Sequence, residues 1–279
     1  MSIFDKFKKE NVEAEKGRIR SNVDQWNFFP RIINEQYHSI AFDMEVENFD
    51  DVKRMQYPHI IELMIPYKKA KENGFPTSSE MERIYKIEDD FATGGYNIRL
   101  IGTIIGGGCH RFVFCSDVAD DDVIKTLLNR NQNINFSHKL FLNNNFKHYN
   151  QEVAPNACEL NWVNNRRNSE IMSETICQQL ELCGETFSKA RPIDFYINFT
   201  SDAHIQNISD KLSELGFCVV DQSELENEAK SLHFTAELIP DLDSILNVTN
   251  DIINLLILEK VEGHFDGWSC AVMTDEVLN

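Results

Sequence analysis

The sequence predicts an α+β protein built from two domains that differ in charge. Two stretches, one beginning at His59 and the other at Ile193, each show the order strand, helix, strand, strand, helix, strand. With 279 residues, 42% of them hydrophobic, the chain is long enough for two packed cores. Residues 190–279 carry 17 of the 45 acidic side chains but only 4 of the 27 basic ones, so the second stretch is the acidic one.

The second domain, residues 191–279, has the clearer pattern. Apolar Phe195, Ile197 and Phe199 alternate with polar residues, as in a half-buried strand, and Gly216 stands where a helix-ending glycine belongs. The predicted elements are strand 193–199, helix 201–216, strand 217–221, strand 232–238, helix 240–262 and strand 265–273. The order βαββαβ predicts a ferredoxin-like sandwich, with both helices on one face of a four-stranded sheet.

The rest of the chain is predicted to form a helical leader over residues 1–22, an α+β domain over 23–150 and a helical connector over 151–190. Thr77–Glu80 fits a capping box before a helix that ends at Gly94-Gly95, and Gly106–Gly108 joins two strands of a hairpin. The predicted strands are 25–29, 37–46, 59–65, 97–105, 111–115 and 137–142, with a second helix over 120–128 and a link between the domains over 185–192. From His59 onward the first domain could therefore repeat the ferredoxin-like order.

Composition predicts a cytoplasmic protein without a transmembrane segment. The longest apolar run, Ile252–Leu258, is interrupted by Asn254 and is far shorter than the ~20 residues that cross a bilayer. The start of the chain lacks the apolar core of a secretory signal. None of the seven cysteines forms a Cys-x-x-Cys pair, so we expect reduced, mostly buried thiols and neither a metal site nor a cofactor.

The acidic charge favours a basic protein as the partner. A negative field repels the phosphate backbone of nucleic acids and anionic lipid, and it attracts cationic surfaces. The ferredoxin-like fold also serves RNA-binding modules, but those need lysine and arginine to neutralise phosphates. We therefore expect no direct binding to nucleic acid.

Alternation along the strands predicts which residues face away from the helices. Tyr196, His233 and Glu237 have the outward parity. If Phe265 lies under the helices, Asp266 and Trp268 join them. Aromatic rings among carboxylates suit arginine or lysine. The predicted partner-binding residues are Tyr196, His233, Glu237, His264, Asp266 and Trp268.

Two alternatives remain open for these residues. Trp268 could fill a gap in the core, with Gly267 allowing a close approach of the backbone, and a β-bulge would reverse the parity of the last strand. The stretch Ile252–Leu258 is apolar around most of its helix, which indicates a second contact, either with the first domain or with another copy of the chain.

The C-terminal residues resemble a known family. The strand Ile193–Phe199, the step Leu215-Gly216-Phe217 and the closing string Gly263–Trp268 are similar to the regulator of ribonuclease activity B (RraB) family of ribonuclease E inhibitors, with Phe265 in place of a tyrosine. The family's usual histidine is Phe195 here, and the acidic residue after its last tryptophan is Ser269. The resemblance implies a ferredoxin-like fold and a non-catalytic regulator that binds a ribonuclease. The upstream part is similar to an uncharacterised domain that often precedes such modules.

No catalytic residues can be assigned. Cys109 and His110 are adjacent in a strand, so their side chains point to opposite faces. Carboxylate runs at Glu88–Asp90 and Asp120–Asp122 have no matching histidine cluster and fit solvated helix surfaces. Two other functions remain as alternatives: a general interaction module unrelated to RNA decay, and an unrecognised hydrolase in the N-terminal domain.

Overall fold

The computed structural model describes residues 26–92, 98–117, 135–143, 146–224 and 230–273. The chain divides into two compact units, with the boundary between Asn156 and Ala157. The helix that was predicted within the connector 151–190 thus belongs to the C-terminal unit. The predicted leader 1–22 and the predicted helix 120–128 lie outside the described residues.

The N-terminal unit contains a six-stranded antiparallel sheet in the order β1-β2-β4-β5-β3-β6. Its elements are β1 Trp26–Ile33, β2 Gln36–Asp43, a 3-10 turn Met44–Asn48, α1 Asp51–Met55, β3 His59–Pro66, α2 Ser78–Ala92, β4 Ile98–Gly106, β5 Cys109–Ser116, β6 Ser137–Leu142 and α3 Lys147–Glu152. The predicted glycine hairpin is present, since β4 and β5 pair from Gly106–Cys109 onward.

Helix α2 covers one face of this sheet. Ile84 and Ile87 pack into a fully apolar cluster with Ile61, Leu63 and Phe112 of the strands. The helix begins where the sequence predicts.

The capping box predicted before α2 does not form. The carboxylate of Glu80 accepts the backbone N–H of Lys68 and pairs with Arg83, instead of accepting the N–H of Thr77. Glu80 is buried, and these two donors satisfy its carboxylate.

The C-terminal unit has a four-stranded antiparallel sheet in the order β10-β7-β9-β8. Its elements are α4 Ala157–Leu182, β7 Arg191–Phe199, a 3-10 turn Asp202–His204, α5 Ile205–Glu214, β8 Cys218–Glu224, β9 Lys230–Leu238, α6 Leu242–Leu258 and β10 Gly263–Ser269. The predicted order βαββαβ is confirmed from β7 to β10, and the α+β class with two domains is confirmed for the chain. The ferredoxin-like assignment stays a prediction.

Strands β3 to β6 of the first unit are arranged in the same spatial order as strands β7 to β10 of the second. Counted along the chain, both sets place the fourth strand beside the first, then the third, then the second. The N-terminal sheet is extended by the hairpin β1-β2 beside β4. The repeat of strand order agrees with the predicted duplication, which stays a prediction because the residues of the predicted helix 120–128 are not described.

The core of the C-terminal unit follows the alternation in β7. Phe195 is fully buried and stacks on Phe234 with ring centroids 5.6 Å apart. Helix α5 adds Ile208 and Leu212 to this core, and Gly216 follows its C-cap with a φ of +90°, as predicted for a helix-ending glycine. Each fully buried side chain of this size contributes about 1.5–3 kcal/mol relative to exposure.

Helix α4 lies along the outer border of the edge strand β10. Asn161 Nδ2 donates to the carbonyl of Gly263, and Asn165 both accepts from the N–H and donates to the carbonyl of Phe265, at 2.9–3.2 Å. These side chains satisfy backbone groups that an edge strand would otherwise present to another chain.

The same helix covers the second apolar side of α6. The residues from Ile252 to Ile257 are all buried, and buried Arg166 of α4 donates to Asn254 at 2.6 Å. Helix α4 therefore makes an extra contact with Ile252–Leu258, and self-association through this stretch stays a prediction.

The segment predicted as a link between domains, 185–192, is part of the C-terminal core. The carboxylate of Glu185 is almost fully buried and pairs with Arg191 at 2.6 Å. It also accepts the N–H groups of Phe187 and Met273. This pair joins the approach to β7 with the residues after β10, so residues 185–192 lie within the C-terminal unit and not between the two units.

All seven cysteines are free thiols. Only Cys115 and Cys177 are buried, so the expectation that most of them are buried is wrong. Cys183 and Cys218 are exposed, because one follows the end of α4 and the other begins the edge strand β8. No helix in the described part of the chain has the length and apolarity needed to span a membrane.

Candidate partner-binding face

The C-terminal sheet has one face that the described helices leave accessible. We call it the open face and define it by the outward residues of β7, β9 and β10. Asp194, Tyr196 and Asn198 of β7 lie opposite Thr235, His233 and Ser231 of β9. All six side chains are partly exposed, whereas their neighbours in β7 are buried.

An ordered group of three side chains occupies the middle of the open face. The rings of Tyr196 and His233 stack with centroids 4.8 Å apart and an angle of 15° between planes. His233 Nε2 lies 2.7 Å from Asp194 Oδ1, which fixes the orientation of the imidazole. The tyrosine ring is thus held in place from one side. Asp194 was missed from the sequence, although it shares the parity of Tyr196.

Strand β10 provides the rim of the open face. The side chains of His264 and Asp266 are 53% and 56% exposed, and His264 Nε2 lies 3.5 Å from Asp266 Oδ1. His264 also contacts Asn198 Nδ2 at 3.2 Å. Glu237 of β9 is exposed and stands opposite Pro192. Five of the six predicted site residues are therefore on this face.

Trp268 is the sixth, and its predicted exposure is wrong. The pairing of β10 with β7 shifts between Phe265 and Gly267, so Asp266 forms a bulge and the parity reverses. Trp268 is 5% exposed and lies opposite buried Phe195.

The alternative interpretation of Trp268 as a core residue agrees with its contacts. The indole Nε1 donates to Ser173 Oγ at 3.0 Å, which satisfies its only donor. Gly267 has a φ of +136°, and a Cβ there would stand 2.8 Å from Met172 Cε. The φ of the bulge therefore favours glycine, whereas the flexible end of Met172 could move away from a Cβ.

The bulge also shapes the open face. Gly267 lies directly opposite Tyr196, so no β10 side chain stands beside that edge of the tyrosine. Asp194 lies two residues from Tyr196 on the same face, Asp266 directly precedes Gly267, and Glu237 lies farther along β9, opposite Pro192. Among the described strand residues of this face, none is lysine or arginine. The geometry therefore offers an aromatic surface with acceptors around it, which suits a planar cation.

The N-terminal unit contains a buried ion network that the sequence did not indicate. Glu62 Oε2 is 2.8 Å from both Arg111 Nη2 and His148 Nε2, and Arg111 is 2.9 Å from Glu152. Burial raises the pKa of Glu62, but the hydrogen bonds from His148 and Arg111 outweigh it and hold the pKa at about 2. The carboxylate is ionised and neutralised within its own domain, which is typical of a structural network.

Cys109 and His110 do not form a nucleophile–base pair. His110 is fully buried and stacks on Phe112 at 4.2 Å, on the side of the sheet that packs against α2. Burial raises the pKa of the half-buried Cys109, which keeps it a thiol at neutral pH. Within the described ranges, no group of three or more histidine, cysteine or acidic side chains is arranged to hold a metal ion.

Comparison with protein families assigns both parts of the chain. Residues 170–270 match the family model described as Regulator of ribonuclease activity B. The C-terminal unit carries an RraB domain. The match begins within α4 and reaches past β10, so the RraB domain includes the half of α4 that holds Ser173 and Cys177, as well as the whole open face. Residues 24–151 match a family of unknown function, DUF695, which precedes the RraB domain.

Comparison with whole proteins identifies no relative that indicates the fold or the function of this chain. No curated protein matches the chain significantly. A solved structure titled "putative glycine cleavage system transcriptional repressor" aligns over 76% of this chain and 98% of its own, with 8% identity and a TM-score of 0.22. An unknown protein from Galdieria sulphuraria aligns over 75% and 96%, with 7% identity and a TM-score of 0.20. Scores this low establish neither a common fold nor a common function.

Proposed function

We propose that this protein is a non-catalytic regulator of a ribonuclease of the ribonuclease E type. It acts in the cytoplasm, and the open face of its RraB domain binds a basic segment of the enzyme. The observation that carries the proposal is the partly exposed Tyr196–His233 stack, which shares its face with carboxylates and, among the described strand residues there, with no lysine or arginine. The family description supplies the class of partner.

The chemistry of the face favours arginine as the residue that is bound. A guanidinium can contact the partly exposed ring of Tyr196 from solvent, on the part of the ring that His233 does not stack against. From there it reaches the carboxylate of Asp266 at the rim. Cation–π contact contributes about 0.5–2 kcal/mol, and a hydrogen-bonded carboxylate adds to it. Lysine is a smaller, more strongly hydrated cation and would gain less from the ring.

The proposal is tested by titration calorimetry of the full chain with an arginine-rich peptide. We expect binding that weakens as salt rises, because the attraction is between exposed charges. A lysine-rich peptide of equal charge should bind more weakly, and an acidic peptide should not bind. Single-stranded RNA should not bind either. RNA binding, or equal affinity for all peptides, would contradict the assigned face.

A matched pair of variants distinguishes the effect of the open face on peptide affinity from the effect of net charge. Glu237→Gln removes a carboxylate from the open face, whereas Glu214→Gln removes an exposed one at the end of α5. We expect roughly a several-fold loss of peptide affinity for the first variant and little change for the second. Equal losses would mean that net charge alone attracts the peptide.

The regulatory role is tested by adding the full chain to a purified ribonuclease E-type enzyme and measuring the cleavage of an RNA substrate. We expect the cleavage rate to fall with wild-type protein and to recover when Tyr196→Ala replaces it. Binding of basic peptides without any effect on cleavage would favour an interaction module unrelated to RNA decay.

A further inference from the structure

Helix α4 and strand β10 run side by side with a regular correspondence between their residues. Asn161 contacts Gly263, Asn165 contacts Phe265, and Ser173 contacts Trp268. A helix rises 1.5 Å per residue and a strand about 3.3 Å, so four residues of α4 match about two residues of β10. The next step along both elements leads from Ser173 to Cys177 and from Trp268 to Cys270.

The two cysteines also point toward the same space. Cys270 shares the parity of Trp268, which faces Ser173 of α4, and Ser269 between them is exposed. Cys177 lies one helical turn beyond Ser173, on the same side of α4. Burial, Asp241 and the nearby Cys270 together raise the pKa of Cys177 to about 11. This electrostatic interaction between the two thiols agrees with the correspondence of residues.

The two cysteines differ in exposure, and this difference determines which thiol reacts first. Cys270 is partly exposed, and its sulfur accepts a hydrogen bond from Arg191 Nη2 at 3.6 Å. Cys177 is buried, and its thiol donates to the carbonyl of Pro240 at 3.6 Å. A reagent in solution can therefore reach Cys270 before Cys177.

We propose that Cys177 and Cys270 form a reversible disulfide that fastens α4 to the end of β10 when the protein meets a small-molecule disulfide. In the first step the Cys270 thiolate attacks one sulfur of that disulfide, forms a mixed disulfide and releases one thiolate. In the second, Cys177 loses its proton and attacks the Cys270 sulfur, which releases the other thiolate. Two protein thiols are oxidised, one external disulfide is reduced to two thiols, and the protons end on the released thiols. The inference does not depend on the proposed function.

The test uses the full chain incubated with oxidised glutathione, digested without reductant and analysed by mass spectrometry. We expect a linked peptide that joins Cys177 to Cys270 and disappears with dithiothreitol. Cys177→Ser and Cys270→Ser should each abolish it. Cys183→Ser, which changes the exposed cysteine just beyond α4, should leave it unchanged.

The melting temperature provides a second test of the proposed disulfide. The linkage closes a long loop, so the oxidised wild type should melt about 5 °C or more above the reduced protein, whereas oxidised Cys177→Ser should show no such rise. Cys270 found only as a glutathione adduct, or joined to Cys183, would overturn the proposal. So would a linked Cys177–Cys270 peptide with no rise in melting temperature, because the bond would then not fasten native α4 to native β10.

Discussion

A single inserted residue decides which aromatic side chain of the C-terminal sheet meets solvent. Without the bulge at Asp266, Trp268 would share the open face with Tyr196. With it, the indole is buried against Ser173, and the tyrosine alone remains accessible. We therefore assign the two residues separate roles: Trp268 stabilises the fold, and Tyr196 has the proposed role in recognition.

These roles predict opposite results for two alanine substitutions. Trp268→Ala should lower the free energy of unfolding by about 3–5 kcal/mol, because it leaves a cavity between α4 and β10. Tyr196→Ala should lower it by less than about 1 kcal/mol while reducing peptide binding. Urea denaturation followed by circular dichroism measures both. A Trp268→Ala protein as stable as wild type would contradict the buried position.

The Glu62 network predicts a pH dependence of stability. The folded-state pKa of about 2 lies below the usual value of 4.5, so the stabilisation is complete above about pH 4.5. It is lost as the pH falls through the folded pKa near 2, and it is worth about 3 kcal/mol at most. Glu62→Gln should flatten the acid side of the stability curve, measured by thermal melting from pH 2 to 7. Glu82→Gln, which changes an exposed carboxylate on α2, should not.

At the scale of elements, the sequence predicts strands and their faces well where alternation is unbroken. In β7 and β9, Phe195, Tyr196 and His233 all lie as the two-residue period requires. In β10 the two-residue alternation predicts the wrong face for Trp268, because a bulge adds one residue. Only Gly267 indicates this bulge in the sequence. The position of α4 could not be predicted, since Asn161 and Asn165 are typical of a solvated helix surface until the edge strand beside them is known.

The asparagines of α4 give the element-scale prediction. Asn165→Leu removes both hydrogen bonds to Phe265 and leaves buried backbone groups unpaired, so we expect a loss of about 1–3 kcal/mol in the free energy of unfolding. Asn164→Leu, at an exposed neighbouring position, is the control and should change little. Chemical denaturation of both variants distinguishes a specific edge contact from a general effect of leucine on the helix.

At the scale of the whole molecule, the boundary at Ala157 differs from the predicted one at 191. The C-terminal unit includes α4, and without it the apolar side of α6 and the border of β10 would be uncovered. The helical character of residues 157–183 is visible in the sequence, but it does not reveal that this polar helix packs on the C-terminal sheet.

Truncation tests this boundary. Residues 157–279 should express as a folded monomer with a cooperative thermal transition, because they contain a complete core. Residues 191–279 should aggregate or melt without cooperativity, since they expose Ile252–Ile257. Size-exclusion chromatography and calorimetry measure the outcome. A stable, monomeric 191–279 fragment would contradict the role assigned to α4.

The asparagine contacts along β10 also limit how the C-terminal sheet can grow. An intermolecular sheet that extends indefinitely needs a free border on each side of every protomer. Here one border is taken by α4, and the other, β8, is interrupted by an irregularity between Val219 and Asp221. Another chain can therefore pair with this sheet only at β8, and after one such pairing no free border remains. Native molecules are thus not expected to form fibrils by extending this sheet.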